Sequence, residues 1–288
     1  MTEYRSEANN PIRTFSAGAE NYSLSGSIKA ACADIYCSRF VIWHLFKRDF
    51  VAGFRQKLLG YLWIVISPLI GVASFVFMHS TGILNPGETE IPYPIYVFFG
   101  AGMWGLMMGA LGSVSSGLSV NSDLVMRTGI PKISLAISGL ASICYSMLVN
   151  LVVLCAILMI FGLVPSWLAI FYPFTVLPLL CLGIGVGLIL AVIGSVARDV
   201  TGMASSLLGL VMYLTPVIYK AQFDNPVLNE IVRLNPLTYL VDTPRTLFFN
   251  GYVPSPPGFA LSSIFAVLVM ISGIHAFYLV KNNVAERL

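Results

Sequence analysis

Four long stretches of this chain contain no Lys, Arg, Asp or Glu, and they constrain the fold more than any other feature. They cover residues 58–87, 91–122, 133–197 and 246–280. Each exceeds the roughly 20 apolar residues that an α-helix needs to cross a bilayer. Only 10% of the chain is charged and 57% is hydrophobic, whereas a soluble domain carries about 25% charged residues. The sequence therefore predicts an all-α integral membrane protein.

Turn residues inside these stretches determine the number of crossings. The longest stretch is interrupted by Gly162-Leu-Val-Pro-Ser-Trp167, so it must hold two helices. Another span fits between Thr201 and Tyr219. The sequence thus predicts six transmembrane helices, at about 62–80, 94–118, 133–161, 168–195, 202–220 and 258–280.

Basic residues indicate which side of the membrane each loop faces. All but three of the 16 Lys and Arg residues fall on one side of a six-span topology. The three exceptions are Lys220, Arg233 and Arg245. By the positive-inside rule both termini are predicted to be cytoplasmic, including the short C-terminus 282–288, in a protein of the cytoplasmic (inner) membrane. The net charge of +3 reflects this asymmetry and does not suggest a nucleic-acid partner.

Two segments precede the first span. Residues 1–34 are polar at first and lack an apolar period, so they are predicted to form a flexible cytoplasmic tail. Residues 35–60 are predicted to form an amphipathic helix at the membrane interface, because aromatic residues share one face and basic residues lie round from it. The aromatic residues are Tyr36, Phe40, Trp43, Phe46, Phe50 and Phe54. A surface helix of a soluble domain would show the same pattern, but the apolar span that follows disfavours that alternative.

The spans lack the groups that power or catalyse a reaction. They contain no carboxylate, Lys or Arg that could relay protons or bind ions. No Gly-x-x-x-x-Gly-Lys-Ser/Thr loop is present to bind a nucleotide. The five cysteines lie in the predicted spans or on the reducing side. We therefore expect no catalytic residue, bound cofactor or metal in this chain, and an energy source elsewhere.

Two further patterns concern packing and the outer face. Small residues recur at helix-packing spacing in the pairs Gly105/Gly109, Gly183/Gly187 and Ser205/Gly209, which predicts a tightly packed bundle with a dimer seam. Between spans five and six, the segment 235–251 opens with a turn signal, continues with apolar residues at helical spacing and ends in glycine. It is predicted to be a partly buried re-entrant or interfacial helix.

A series of different short motifs extends along nearly the whole chain after the tail. They are Arg55-Gln56, Leu59-Gly60-Tyr61-Leu62-Trp63, Pro68-Leu69, Asn121, Leu124-Val125, Arg127, Pro131-Lys132, Arg198-Asp199-Val200, Thr215-Pro216-Val217-Ile218-Tyr219, Asn235-Pro236-Leu237-Thr238, Asp242 and Arg245. On these motifs the chain resembles the ABC-2 type permeases of polysaccharide and polyol-phosphate export, which include O-antigen, capsule and teichoic-acid permeases. Residues 61–281 would form the six-span ABC-2 domain.

The resemblance implies a homodimer bound to two copies of a separate ABC ATPase, which binds the ATP and Mg. Nucleotide turnover there would open a path between the subunits for a lipid-linked glycan. The chain itself would be a permease subunit and not an enzyme. A permease for a smaller amphiphile, such as a drug or lipo-oligosaccharide, and a membrane enzyme of glycan assembly are the alternatives.

Residue roles follow from the same resemblance. The residues implied in coupling to the ATPase are Arg48, Arg55, Lys57, Asp123, Arg127, Lys132, Arg198 and Asp199. The implied outer gate contains Asn235, Pro236, Tyr239, Asp242 and Arg245. The chain departs from the family pattern at Val51, Gly53 and Lys57, which bears on the charge pairing with the ATPase.

Aromatic side chains in the spans are candidates for a glycan path, because sugars stack their C–H faces on aromatic rings. The candidates are Tyr61, Trp63, Phe75, Phe98, Phe99, Trp104, Tyr145 and Tyr213. Placement in the interfacial aromatic belt is the alternative role for Tyr61, Trp63 and Trp104.

Overall fold

The computed structural model describes residues 23–55, 62–121, 123–124, 129–194, 197–221 and 225–284. Side chains are described throughout these ranges except at 52–55, 63–65, 198 and 281–284. The longer helices are α1 (Leu24–Cys37), α2 (Arg39–Arg55), α3 (Leu62–Ser80), α4 (Tyr93–Val120), α5 (Lys132–Ile137), α6 (Leu140–Phe161), α7 (Tyr172–Gly194), α8 (Arg198–Leu214), α9 (Pro226–Leu234), α10 (Pro236–Asn250) and α11 (Pro256–Val284). A short 3₁₀ helix, Trp167–Phe171, precedes α7. The all-helical prediction is confirmed over the described ranges.

Four segments are long and apolar enough to cross a membrane within the described part of the chain. They are Tyr93–Val120, Lys132–Phe161, Trp167–Gly194 and Pro256–Val280. Two shorter apolar helices, Ile66–Ser80 and Asp199–Leu214, lie at the positions predicted for spans one and five. The count of six spans remains a prediction.

Glycines set the direction and closeness of the central helices. A Cβ at Gly183 would lie 2.6 Å from the carbonyl oxygen of Met107, and one at Gly187 would lie 2.8 Å from that of Leu111. The residue numbers of the contacting pairs increase in the same direction along both helices, so α4 and α7 run parallel. Any side chain at Gly183 or Gly187 would push the backbones of α4 and α7 apart. The predicted helix-packing role of these two glycines is therefore confirmed.

α11 packs against α7 in the same backbone-to-backbone manner. A Cβ at Gly185 would lie 2.6 Å from the Cα of Met270, and one at Gly273 would lie 2.5 Å from the Gly185 carbonyl oxygen. By contrast, α6 runs antiparallel to α4, because Gly109 faces Ile143 while Gly139 faces Ser113. α4 and α7 thus form the centre of the bundle, with α6 packed against α4 and α11 packed against α7.

The last part of the segment predicted as a flexible tail is helical in the structure, since α1 covers Leu24–Cys37. α1 begins at Ser23, whose hydroxyl accepts a hydrogen bond from the Gly26 N–H. It is tied to α11 by a hydrogen bond of 3.0 Å between Ser27 Oγ and His275 Nδ1 and by one of 2.7 Å from the Tyr278 hydroxyl to the Asp34 carboxylate. These contacts join residues more than 240 positions apart, so an apolar period could not reveal them.

The predicted fifth span also differs from the structure. The sequence placed it at 202–220, whereas α8 runs from Arg198 to Leu214. Thr215, with φ −108° and ψ 138°, is extended, because the ring of the following Pro216 disfavours helical geometry in the preceding residue. The Arg198-Asp199-Val200 motif, which precedes the predicted span, is the first turn of this helix.

Candidate functional site

Arg245 is a buried arginine on α10, in the segment predicted to form the outer gate. It is only 3% exposed. Its Nη1 donates a hydrogen bond of 3.1 Å to the carbonyl of Pro216, and its Nη2 donates one of 2.9 Å to that of Val217. The guanidinium carbon lies 3.8 Å from the centroid of the Tyr96 ring, a cation–π arrangement. A buried charge is tolerated only with partners of this kind.

Two tyrosines of α4 continue the same pattern along the chain. The Tyr93 hydroxyl donates to the Ile218 carbonyl at 3.1 Å, and the Tyr96 hydroxyl donates to the Tyr219 carbonyl at 2.9 Å. Side chains therefore satisfy four successive carbonyls, from residue 216 to residue 219. Non-helical backbone needs such partners where it packs inside a membrane protein.

Gly100 makes room for this arrangement. A Cβ at that position would collide with the carbonyl oxygen of Val217 and with Nη2 of Arg245. Any larger residue on this turn of α4 would displace the arginine or the chain that it holds. The site thus needs glycine at residue 100, far along the sequence from α10.

Asn235 and Pro236 start α10 and attach it to the end of α8. The Asn235 side-chain oxygen accepts from the Leu237 N–H at 3.0 Å, and its Nδ2 donates to the Thr215 hydroxyl at 2.9 Å. Pro236 occupies the first helical position, where its missing N–H costs nothing. The predicted glycine stop is confirmed, since Gly251 has φ 76° and caps the helix.

Tyr239 joins α10 to both of its chain neighbours. Its hydroxyl donates to the Arg233 carbonyl at 2.9 Å, at the end of α9. A Cβ at Gly258 would collide with the Tyr239 ring, so the start of α11 lies directly beneath it. All five predicted gate residues therefore lie on α10 or at its cap. Asn235 and Arg245 bind the segment after α8, and Tyr239 binds the end of α9.

A cleft of about 340 Å³ opens beside Arg245. Asp242, whose side chain is 41% exposed, lines it and faces Arg245 at 4.0 Å. Glu90 lies across the cleft, with one carboxylate oxygen 3.3 Å from Lys220 Nζ and the other accepting from the Asn250 amide. Burial raises the pKa of the Asp242 carboxyl, and the positive charge of Arg245 opposes that shift.

Sequence reasoning missed several residues of this site. Glu90, Lys220, Tyr93, Tyr96 and Gly100 were not among the predicted gate residues, although all contact or line it. The one available signal was the charge of Glu90 and Lys220, each at the edge of a charge-free stretch.

The predicted coupling residues lie at the opposite end of the bundle where they are described. Arg48 of α2 binds Asp49 at 2.7 Å and the Asn121 side chain, after α4, at 3.0 Å. Asp123 and Asp199 are exposed, and Lys132 begins α5. Lys57 and Arg127 lie outside the described residues, and only the backbone is described at Arg55 and Arg198.

The candidate glycan-path aromatics fall into different environments. Phe98, Phe99 and Trp104 belong to the core and are 6% exposed or less, so their rings are closed to a sugar in this conformation. Phe75 packs partly buried against that core. Tyr145 packs against the Phe50 ring at 4.7 Å, and Tyr213 is 57% exposed. Tyr61 lies outside the described residues, as does the side chain of Trp63.

Residues 41–249 match the family model described as ABC-2 type transporter. The chain belongs to the ABC-2 type transporter family. This ABC-2 transporter is similar to the O-antigen export system permease protein RfbA of Myxococcus xanthus, with 25% identity over 240 residues, 82% of this chain and 91% of the relative. Two proteins of the same name from Klebsiella pneumoniae are each 22% identical, over 83% of this chain and 91% of their own length. The family predicted from the motifs is confirmed.

Proposed function

We propose that this chain is the membrane-spanning permease subunit of an ATP-driven exporter of lipid-linked O-antigen polysaccharide. The observation that carries the proposal is its similarity, over most of both chains, to relatives named as O-antigen export permeases. In the proposed cycle the glycan moves outward across the cytoplasmic (inner) membrane, and both termini face the cytoplasm. ATP and Mg bind to a separate ABC ATPase, present in two copies.

The permease subunit is proposed to act as a homodimer, with α8 at the contact between copies. Met203, Leu207 and Leu210 project from one side of this helix and are each more than 60% exposed. A Cβ at Gly202 or Gly209 would meet open space. An apolar face with small residues suits close packing against a second helix in lipid.

The outer gate is proposed to be α10 together with residues 215–220. α8 has 17 residues and so spans about 25 Å at 1.5 Å per residue, less than the roughly 30 Å hydrocarbon core. The non-helical segment after it would complete the crossing. Its carbonyls accept hydrogen bonds from side chains of α4 and α10, so movement of α10 would move this segment and could open the proposed gate.

A depletion experiment tests the export function. Loss of this protein should leave lipid-linked O-antigen polymer on the cytoplasmic side, and the tagged chain should co-purify with a Walker-motif ATPase. Continued surface delivery of polymer without the protein would contradict the proposal. If surface polymer stays normal while efflux of a small amphiphile falls, the chain exports that smaller substrate instead.

Coupling to the ATPase is proposed to involve the exposed carboxylate of Asp199, in the first turn of α8. Asp199→Ala should lower export at least several-fold while membrane insertion and protein level stay normal, because only the contact with the ATPase is lost. Glu230→Ala provides the matched control, since Glu230 is an exposed carboxylate on α9, at the other end of the bundle. Equal export by both variants would remove the assigned role.

A further inference from the structure

One side of α10 presents a polar stripe to the 340 Å³ cleft. The stripe consists of Asp242, Arg245, Thr246, Phe249 and Asn250, and all of them line the cleft. Their spacing of i, i+3, i+4, i+7 and i+8 places them on a single helix face. The opposite side of α10 contributes apolar side chains to the core, including Leu240, Val241 and Phe248. The face of α10 that lines the cleft is therefore mainly polar, whereas its opposite face is apolar; Phe249 lines the cleft and also packs against the core.

Most polar groups in the cleft already have partners. Arg245 donates to two backbone carbonyls. Lys220 Nζ and the Asn250 amide both contact Glu90. Within the described part of the chain, the Asp242 carboxylate makes no hydrogen bond, and its nearest cation is 4.0 Å away. The Asp242 carboxylate is thus an acceptor without a hydrogen-bond donor among the described residues, which suits ligand hydroxyl groups.

The charges of the side chains in the cleft restrict which class of ligand can bind there. Asp242 and Glu90 are two carboxylates in one small space, while Lys220 is paired and Arg245 is buried and engaged with backbone. A phosphate or a uronic acid would be repelled by the Asp242 carboxylate, because the nearest cation, Arg245, is buried and already donates to backbone carbonyls. A neutral polyol meets no such repulsion.

Aromatic rings supply the remaining wall. Phe249 and Tyr252 line the cleft beside the carboxylates, and Tyr252 is 51% exposed. A ring of this kind stacks on the C–H face of a pyranose, and the hydroxyl groups of the pyranose can then donate hydrogen bonds to carboxylate and amide oxygens. The cavity volume also lies in the range of roughly 300–1,000 Å³ that small-molecule sites occupy.

We propose that this cleft is a binding site for one neutral hexose unit of the exported glycan. The hydroxyl groups of the hexose donate hydrogen bonds to the side-chain oxygens of Asp242 and Asn250, and its ring stacks on Tyr252. The site lies at the end of the bundle that carries α9 and α10, so a unit held there has already left the core. This inference rests on the proposed export function. It adds a sugar-binding step on the outer face that the relatives' names do not state.

Saturation-transfer NMR on the full-length chain in lipid nanodiscs tests the site. The probes are the methyl α-glycosides of glucose, mannose and galactose, with D-glucuronate as the anionic comparison. At least one neutral glycoside should receive saturation at its ring C–H protons, and glucuronate should receive at least fivefold less. Absence of transfer to all three glycosides, or equal transfer to glucuronate, overturns the proposal.

Variants assign the signal to the cleft. Asp242→Asn keeps the side-chain shape, and Tyr252→Ala changes an exposed ring, so each should reduce the signal at least fivefold without unfolding the chain. Glu230→Gln, an exposed carboxylate outside the cleft, is the matched control and should leave the signal unchanged. An equal signal in all variants would show that the sugar binds elsewhere and would end the assignment.

The outcome for the site can be separated from the outcome for export. Sugar binding that depends on Asp242, in a protein whose depletion leaves polymer delivery intact, would refute the export function and preserve the site. If polymer delivery requires the protein but no sugar binding is detected, the site is refuted and the export function is preserved.

Discussion

At the scale of single residues, Gly100 has the most sharply defined requirement. Gly100→Ala should destabilise the protein by about 1–3 kcal/mol, because the added methyl group collides with Val217 and Arg245. Gly102→Ala is the matched control on the same helix, since its Cβ would meet no atom within 4 Å. Thermal unfolding midpoints in detergent measure both, and equal midpoints would contradict the packing described here.

Asp242 should make the stability of the protein depend on pH. Burial raises the pKa of its carboxyl above the ordinary value of 3.8, so the folded chain binds this proton more tightly than the unfolded chain does. The resulting stabilisation is fully present below that ordinary value and is lost as the pH rises through the raised pKa. Asp242→Asn removes the titrating group and should flatten the pH profile of the unfolding midpoint.

Unfolding midpoints measured from about pH 4 to pH 8 compare Asp242→Asn with the Glu230→Gln control, whose exposed carboxyl lies outside the cleft. Only the first should change the slope. A profile for Asp242→Asn parallel to that of the parent chain would exclude a contribution from this carboxyl.

Sequence reasoning named Asp242 and Arg245 but not the residues that hold them. The pair could be found because motifs mark it, and i, i+3 spacing on a helix makes contact between its members a local matter. Tyr96 and Gly100 belong to another helix, and their role depends on how α4 and α10 cross. Aromatic residues show the same limit, since Phe99 and Tyr213 have the same sequence signal although one is buried and the other exposed.

At the scale of elements, two helices start with the same Asn-Pro cap but differ in what else the cap holds. Asn225 accepts from the Val227 N–H at the start of α9, while Asn235 caps α10 and also binds Thr215. Each Asn→Ala change should cost about 1 kcal/mol of local stability. Only Asn235→Ala should also release the segment after α8.

Amide hydrogen exchange distinguishes the two caps. Asn225→Ala should speed exchange in the first turn of α9 alone, whereas Asn235→Ala should speed it both in α10 and around residues 215–220. Unchanged exchange in that second region would mean that the Thr215 contact contributes little.

The positions of the elements were more predictable than their ends. Long charge-free runs located the helices that now appear as α4, α6, α7 and α11, because burial in lipid demands apolar composition along the whole length. The end of α8 depended on one proline, Pro216, inside an apolar run. The position of α1 depends on polar contacts with α11, and a pattern of apolar residues does not reveal such contacts.

At the scale of the whole molecule, the proposed dimer predicts which helix faces can be cross-linked. In a background without the native cysteines, Leu207→Cys on α8 should form a disulfide between two copies in membranes. Val152→Cys on α6, which is exposed to a similar degree, should form no cross-link between copies. Gel electrophoresis after mild oxidation reads out both, and the reverse pattern would move the contact away from α8.

The hydrogen bonds that side chains make to residues 216–219 have a mechanical consequence. A helix carries its hydrogen bonds within itself and keeps them when it moves as a body. The chain after α8 instead depends on donors from α4 and α10, so tilting α10 either drags the end of α8 along or breaks those bonds. α10 and the end of α8, the helix proposed to contact the second copy, should therefore move together, so that a displacement of one helix displaces the other.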